Sequence, residues 1–425
     1  MGLGDDPRQC RSLPTLPAVA TLPARRIVVV LVAVSILGAG CSNGEVAETT
    51  TTTTTSTTLP PTTAPTTTTT LPIQSVTVTG DVPEDLATTL AGVLSWRVDQ
   101  RNPDPAMPQG LGTPLLEMDL DLAESVEVTA RVAKLEGGSV ALAVSSAGDV
   151  YAAADEGSGW QIVGAAPAGP GGGWFGGEPR MVLVIGSDAR PGQLQQRFRA
   201  DSLHLLTARA SDGLGTILGF PRDSWVESPF GSMKLSSVMA SRGPEVITDV
   251  MREEFGIPFE GYVVTGFAGF EQLMYDLGNL PIDVPRSIPN QEFYPGFPKG
   301  EQTLTPPRVL LYARTRNGVP GGDLGRTVNQ GVVILAILRL IQGNDVLSAP
   351  MFVNILQRHT WTDLPPSSLI QLAATAFLLD PDKINNVGVP GNLGKAGGGS
   401  VVFLGEDADA VIADAIDDGL ITDED

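Results

Sequence analysis

Cysteine and histidine are nearly absent from this chain, which has 2 of each among 425 residues. Zinc sites are built from clusters of those side chains, and no such cluster is present, which argues against a zinc centre. Cys10 and Cys41 lie on either side of an N-terminal apolar run, so no disulfide is expected. No Gly-x-Ser-x-Gly elbow with a partner histidine occurs, which disfavours serine hydrolysis. Basic residues are also short: 27 Lys and Arg face 48 Asp and Glu, giving a formal net charge of -21. Binding to a phosphate backbone normally needs a broad basic surface, so this balance argues against a nucleic-acid partner. Any anion must be held locally. What is present is enough to fold, since 42% hydrophobic residues can build the cores of two or three domains.

The run RRIVVVLVAVSILGAGC, ending at Cys41, is shorter than the roughly 20 apolar residues of a spanning helix and follows Arg25 and Arg26. Residues 1–41 therefore read as a signal segment. Gly38, Ala39 and Gly40 before Cys41 resemble a bacterial lipoprotein cleavage box, which implies lipid attachment at Cys41. An uncleaved signal anchor is the alternative, and it leaves the chain facing the same compartment. Residues 42–72 are dominated by Thr and Pro and have little to bury, so they read as an extended tether holding the folded part off the membrane. Both features place the protein on the extracytoplasmic face of the cell membrane.

Residues 73–168 read as a small α+β domain, a spacer or protein-contact module: VTVTG at 76–80 is strand-like, 81–96 helical, and SVEVTARVA and SVALAVSS alternate like hairpin strands. The Gly-rich stretch 169–179 contains a formal GxGxxG, but it precedes the strand MVLVIG instead of following one, so it reads as a linker. GNLGKAGGGS around Lys395 lacks the spacing and the Ser or Thr of a phosphate loop. From 180 to 410 the expected fold is α/β, a central, mostly buried sheet flanked by helices. Its expected strands are 181–185, 202–207, 216–220 and 262–265, and its expected helices 244–255, 268–277, 306–312 and 324–341. The segment 360–379 reads as a further helix, INNVGVPG and SVVFL as strands, and 411–425 as an acidic, solvated tail. His204 reads as a satisfied core histidine and His359 as a loop residue.

Ligands of such sheets sit at strand ends, and these ends are polar. Asp188 and Arg190 follow the first strand, Arg199 and Asp201 precede the second, and Arg222 and Asp223 follow the third. Taken singly, each is explained by loop capping or a surface ion pair. Together, two carboxylates among several guanidiniums suggest a hard divalent cation beside a phosphate. Mg2+ fills its octahedron largely with water and phosphate oxygens, so Asp188 and Asp201 suffice. Further along, YARTRNGVPGGDLGRTVNQ places Arg314 and Arg316 at the end of one helix, and Arg326 and Gln330 one turn apart on the next. Guanidinium forks suit the oxygens of a pyrophosphate. Two apolar stripes, VVILAILRLI and AGFEQLMYDL, either fill the core or line an apolar groove.

GSDAR, RADS, FPRD, MKLSSV with Lys234, YARTR and DLGRTVNQ occur in the order and rough spacing of the LytR-CpsA-Psr family, and the resemblance covers about residues 180–342. It implies a membrane-tethered phosphotransferase that moves a glycopolymer, with its linking phosphate, from a polyprenyl pyrophosphate carrier to a hydroxyl of peptidoglycan. It further implies that Asp188 and Asp201 hold Mg2+, that Arg190, Arg222, Arg314 and Arg316 act on the reacting diphosphate, and that Arg199, Lys234, Arg326 and Gln330 bind it. Three departures stand out: Ser236 where Asn is usual, Asn329 where Arg is usual, and GNLPIDV in place of a GGVDV-like turn. None removes a proposed metal ligand. A polyprenyl pyrophosphate hydrolase and a non-catalytic wall-binding scaffold are the alternative functions.

Overall fold

A computed structural model describes residues 72–422 except 121, 170–171 and 293; the signal segment, Cys41 and nearly all of the tether lie outside the described residues. Those described belong to one compact unit, Thr70–Asp425.

The unit begins with β1 (Thr77–Thr79), α1 (Glu84–Val98), α2 (Gly112–Glu117), β2 (Ser125–Leu135), β3 (Gly138–Ser145), β4 (Val150–Asp155) and β5 (Gln161–Ala166). The five strands pair in sequence order, β1 parallel to β2 and the rest antiparallel. Side chains alternate across a strand, and here both faces are apolar. Tyr151 joins Leu86, Leu90 and Leu94 of α1 in one core. Its neighbours Ala152 and Ala154 join the other core, with Val353, Leu369 and Ile370 of the helices described below. A module with its second face buried in this way is a packed layer of the unit, which corrects the expectation of a spacer.

The stretch expected as a linker at 169–179 is docked as well. Trp174 exchanges backbone hydrogen bonds with Ala165, at 2.7 and 3.0 Å, and Phe175 is fully buried. Arg180, itself buried, pairs with Glu260 and donates to the Phe175 carbonyl. Two large aromatic rings in a run of glycines supply the apolar surface that a free linker lacks.

Next come β6 (Arg180–Ser187), β7 (Ala200–Arg209), β8 (Leu214–Gly219), the short pair β9 (Trp225–Val226) and β10 (Met233–Lys234), α3 (Leu235–Arg242), α4 (Pro244–Phe255), β11 (Gly261–Gly266) and α5 (Phe267–Leu277). They are followed by the hairpin β12 (Leu280–Val284) and β13 (Gly300–Leu304), α6 (Pro306–Arg314), α7 (Asp323–Gln342), α8 (Ala349–His359), β14 (Trp361–Thr362) and α9 (Pro366–Leu378). β15 (Ile384–Gly388), the hairpin β16 (Asn392–Ala396) and β17 (Gly399–Phe403), and α10 (Glu406–Asp417) complete the chain. The central sheet runs β14-β11-β6-β7-β8-β15, parallel at β11/β6 and β15/β8 and antiparallel elsewhere. The expected α/β architecture is present, and α4 matches its expected span: Pro244 opens it and Gly256, at φ 70°, closes it.

Leu183 and Ile185 of β6 and Leu203 and Leu205 of β7 face a filled core made with α3, α4 and α10. The opposite face carries Val182, Val184 and Leu206 towards α5 to α9. Two expectations change at the C-terminal end. Residues 360–379 hold a two-residue strand before the helix, because Pro365 and Pro366 place its start there. The boundary at 410/411 falls inside α10, whose Ala408, Ile412 and Ala415 are buried against the sheet, so the acidic face is solvated while the helix itself is packed. His359 is the last residue of α8, 2.8 Å from Asp276, and not in a loop.

Candidate functional site

The sheet register brings the polar strand ends to one edge. Ser187 pairs with Ala200 and His204 with Gly219, so the loop after β6, the start of β7 and the loop after β8 are neighbours. Asp188 and Arg199 close the first junction: each backbone N–H donates across it, to the Arg199 carbonyl and to the Asp188 carboxylate, both at 2.9 Å. Asp201, at the start of β7, pairs through its carboxylate with Arg222.

The helices complete the cluster from the other side. Gly321 and Gly322 adopt φ of 77° and 59°, a conformation that costs glycine little, and they turn the chain from α6 back to the start of α7. Asp323, the first residue of α7, then stands 3.1 Å from Arg326, 3.5 Å from Arg222 and 3.7 Å from Arg316. Arg326 also donates to the backbone carbonyl of Asp201 at 3.1 Å. Three guanidiniums thus share two carboxylates, Asp201 and Asp323. Burial opposes the charge of Arg222, yet the neighbouring Asp201 and Asp323 raise its pKa. Arg326 is shifted the other way: burial lowers its pKa, Asp323 opposes the shift, and the Arg222 and Arg316 charges reinforce it. Its Nε is buried without a hydrogen bond. A buried cation beside two like charges is stabilised by an added anion.

Of the remaining expected residues, Arg314 stacks over the Phe267 ring at 4.0 Å, Gln330 donates to the Ala313 carbonyl at 3.2 Å, and Lys234 pairs with Asp223 at 3.1 Å. The Gln330 Oε1 is buried without a hydrogen bond. Arg190 and Arg199 are exposed at the rim, and neither guanidinium makes an ion pair among the described residues. Asp323 received no role in the sequence reading, although it opens the motif that contains Arg326. A carboxylate between three arginines was its available signal.

Part of this cluster opens on a cavity of about 400 Å³ between the sheet and α5 to α9. Asp201, Arg314, Arg326 and Gln330 line it, and most of the other walls are apolar, with Phe270, Ile334, Leu338, Leu356 and Leu372 among them. Both apolar stripes of the sequence reading therefore contribute to a lined cavity as well as to core. α7 is long and apolar enough by length and composition to cross a membrane, but only 33% of its apolar window is buried. Gln330, Ile334, Leu335, Ile337 and Leu338 line this cavity, while Arg326, Thr327 and Asn329 are buried, as in an internal helix. His204 lies under the mouth, its Nε2 3.1 Å from the Thr327 carbonyl and its Nδ1 3.1 Å from the Ser202 hydroxyl. The carbonyl can only accept, so Nε2 carries a proton. The expectation of a satisfied core histidine holds.

Of the three departures, GNLPIDV leads into and forms β12, and the Ser236 and Asn329 side chains take no part in the ion pairs of the arginine cluster. Ser236 is buried and its N–H donates to the Arg222 carbonyl at 2.9 Å. Asn329 accepts from the Tyr312 hydroxyl at 3.3 Å, within the core under the β12–β13 hairpin. The Gly-rich stretch at Lys395 is the hairpin β16–β17, with Gly397 turning over Trp225.

A model of the LytR_cpsA_psr family matches residues 175–414. The chain belongs to that family. Among curated proteins, "Regulatory protein MsrR" of Staphylococcus aureus is 26% identical over 213 residues, 49% of this chain and 64% of that protein. "Polyisoprenyl-teichoic acid--peptidoglycan teichoic acid transferase TagU" of Bacillus cereus is 26% identical over 204 residues, 46% of this chain and 64% of that protein. The chain thus spans less than two thirds of the length of these relatives. Among solved structures, B. subtilis TagV is similar at 20% identity and a TM-score of 0.48, over 56% of this chain and 95% of that one.

Proposed function

We propose that this protein transfers a glycopolymer, with its linking phosphate, from a polyprenyl pyrophosphate carrier to a sugar hydroxyl of peptidoglycan. The observation that carries this reading is the juxtaposition of an arginine-rich mouth with an apolar cavity of about 400 Å³. Few ligands need both: a diphosphate requires the first and a prenyl chain the second. Among described residues, no group of three or more His, Cys, Asp or Glu could hold a metal ion. Asp188 and Asp201 are two carboxylates on adjacent strand ends, a donor set that fits Mg2+ when phosphate oxygens and water supply the rest.

In the proposed reaction the acceptor hydroxyl oxygen bonds to the sugar-bearing phosphorus. The bond from that phosphorus to the bridging oxygen breaks, prenyl monophosphate leaves with the electron pair, and the hydroxyl proton passes to a carboxylate at the mouth. Such transfers depend on alignment and charge stabilisation more than on covalent catalysis. Arg222, Arg316 and Arg326 neutralise the diphosphate, Arg314 orients it at the cavity entrance, and Gln330 offers its amide. Arg190, Arg199 and Lys234 act from the rim. Mg2+, held by Asp188 and Asp201, would supply further charge neutralisation of the phosphate oxygens. The aliphatic walls bind the prenyl chain and keep water from it. Lipid attachment at Cys41 and the Thr/Pro-rich tether place the site on the outer side of the membrane that carries the donor.

The reading is tested with a prenyl diphosphate of stated chain length: binding is expected to depend on both diphosphate and chain. Equal binding of a short-chain phosphate monoester would contradict it.

A further inference from the structure

Arg314 lines a second, smaller cavity of about 190 Å³, walled by the loop between β12 and β13 and by the chain after α6. The residues around it divide between the two spaces: Leu310 and Ala313 face the apolar cavity, whereas Leu311 and Thr315 face the smaller one. The guanidinium-bearing end of α6 is therefore the wall between them. The smaller cavity is polar and aromatic, with Gln291, Tyr294, Arg316 and Asn317 on its lining. Tyr294 is 55% exposed.

Its walls are held by the fold. Ile288 and Phe297 exchange backbone hydrogen bonds at 2.8 and 2.9 Å. Gln291 donates to the carbonyls of Pro289 and Asn317, at 3.1 and 3.3 Å, tying the loop to the segment after α6. Arg308 donates to the carbonyls of Pro295 and Gly296, both at 2.9 Å, and stacks over Phe297 at 4.1 Å. A Cβ on Gly296 would stand 2.1 Å from the Ile288 carbonyl oxygen, so the loop's close return requires glycine there.

We propose that this cavity is the subsite for the acceptor sugar, an inference that rests on the transfer reading above. A pyranose presents an apolar C–H face that stacks on an aromatic ring, and hydroxyls that pair with amides and guanidiniums. The position relative to the leaving group selects the acceptor. In phosphoryl transfer the attacking and leaving oxygens lie roughly in line through phosphorus. The leaving prenyl phosphate occupies the side of the apolar cavity, so the attacking hydroxyl arrives from across Arg314. A sugar seated against Tyr294 has its hydroxyl on that side and is converted from a bimolecular reactant into a positioned one.

The test measures binding of three probes to the unmodified protein and to Tyr294→Ala: a soluble N-acetylglucosamine–N-acetylmuramic acid tetrasaccharide, geranylgeranyl diphosphate, and the same diphosphate bearing one sugar. The expected result is a loss of about tenfold or more in tetrasaccharide affinity, with both diphosphates changed by less than about twofold. No tetrasaccharide binding by the unmodified protein, or equal binding by both proteins, overturns the subsite. A loss confined to the sugar-bearing diphosphate assigns the cavity to the donor and also overturns it. Absence of geranylgeranyl diphosphate binding to the unmodified protein would instead remove the transfer reading.

Discussion

Arg326 donates from Nη2 to the backbone carbonyl of Asp201 at 3.1 Å, which joins the first turn of α7 to the start of β7 across 125 positions of chain. One guanidinium thereby fixes the geometry of the mouth and carries its most buried charge. Arg326→Ala is expected to lower transfer by about 100-fold or more and to cost about 3 kcal/mol of stability, because it leaves Asp323 short of a partner in a partly buried site. Arg326→Lys restores the charge without the fork, so it recovers stability more than activity. Turnover and chemical denaturation of both variants separate these contributions.

The two proposed metal carboxylates have different secondary roles. Among the described residues the Asp188 carboxylate accepts only from the Arg199 backbone N–H, whereas Asp201 neutralises Arg222. A chelator is expected to abolish transfer, with recovery on adding Mg2+. Asp188→Asn is expected to weaken the Mg2+ dependence with little change in melting temperature, and Asp201→Asn to lower both activity and melting temperature. Activity against Mg2+ concentration, with thermal denaturation in parallel, checks this.

Burial, reinforced by the Arg326 charge and opposed by the Thr327 carbonyl, holds the His204 pKa down to about 4 from its usual 6.5. Between those values the unfolded chain binds a proton that the folded one does not, so stability falls as pH drops from 6.5 to 4 and levels off below. The size of this contribution is roughly 3 kcal/mol. Denaturation at pH 7 and pH 5 is expected to show a smaller difference for His204→Gln than for the unmodified protein. An unchanged difference would mean that the imidazole titrates normally.

Leu338 lies on the cavity wall beyond the arginines. Leu338→Trp is expected to reduce the affinity for a long-chain prenyl diphosphate by about tenfold or more, and that for a short-chain analogue much less, because only the long chain reaches the filled space. Titration with two chain lengths measures the difference.

Much of this arrangement is legible in the sequence because local chemistry and tertiary position agree. Pro244 and Gly256 bound α4 unambiguously, and the apolar run of β6 reads as buried on both faces. The arginines of α6 and α7 can be read as convergent because Gly321 and Gly322 mark the return between them. What escaped depends on contacts made at long range. The burial of Phe175 and of α10 is set by partners elsewhere in the chain, which a glycine-rich or acidic segment does not announce. The role of Asp323 depends on Arg222, a residue 101 positions earlier by subtraction of the two numbers. The loop around Tyr294 has no periodicity at all, and its cavity depends on long-range ties such as those of Arg308 and Gln291.

The most direct measurement mixes the protein with Mg2+, intact peptidoglycan and a polyprenyl pyrophosphate glycan labelled at the sugar-bearing phosphate. The expected result is label covalently bound to peptidoglycan, with one prenyl monophosphate released for each label transferred. Release of prenyl monophosphate with the label left in solution would contradict transfer, and failure to release it at all would contradict cleavage of the diphosphate at this site.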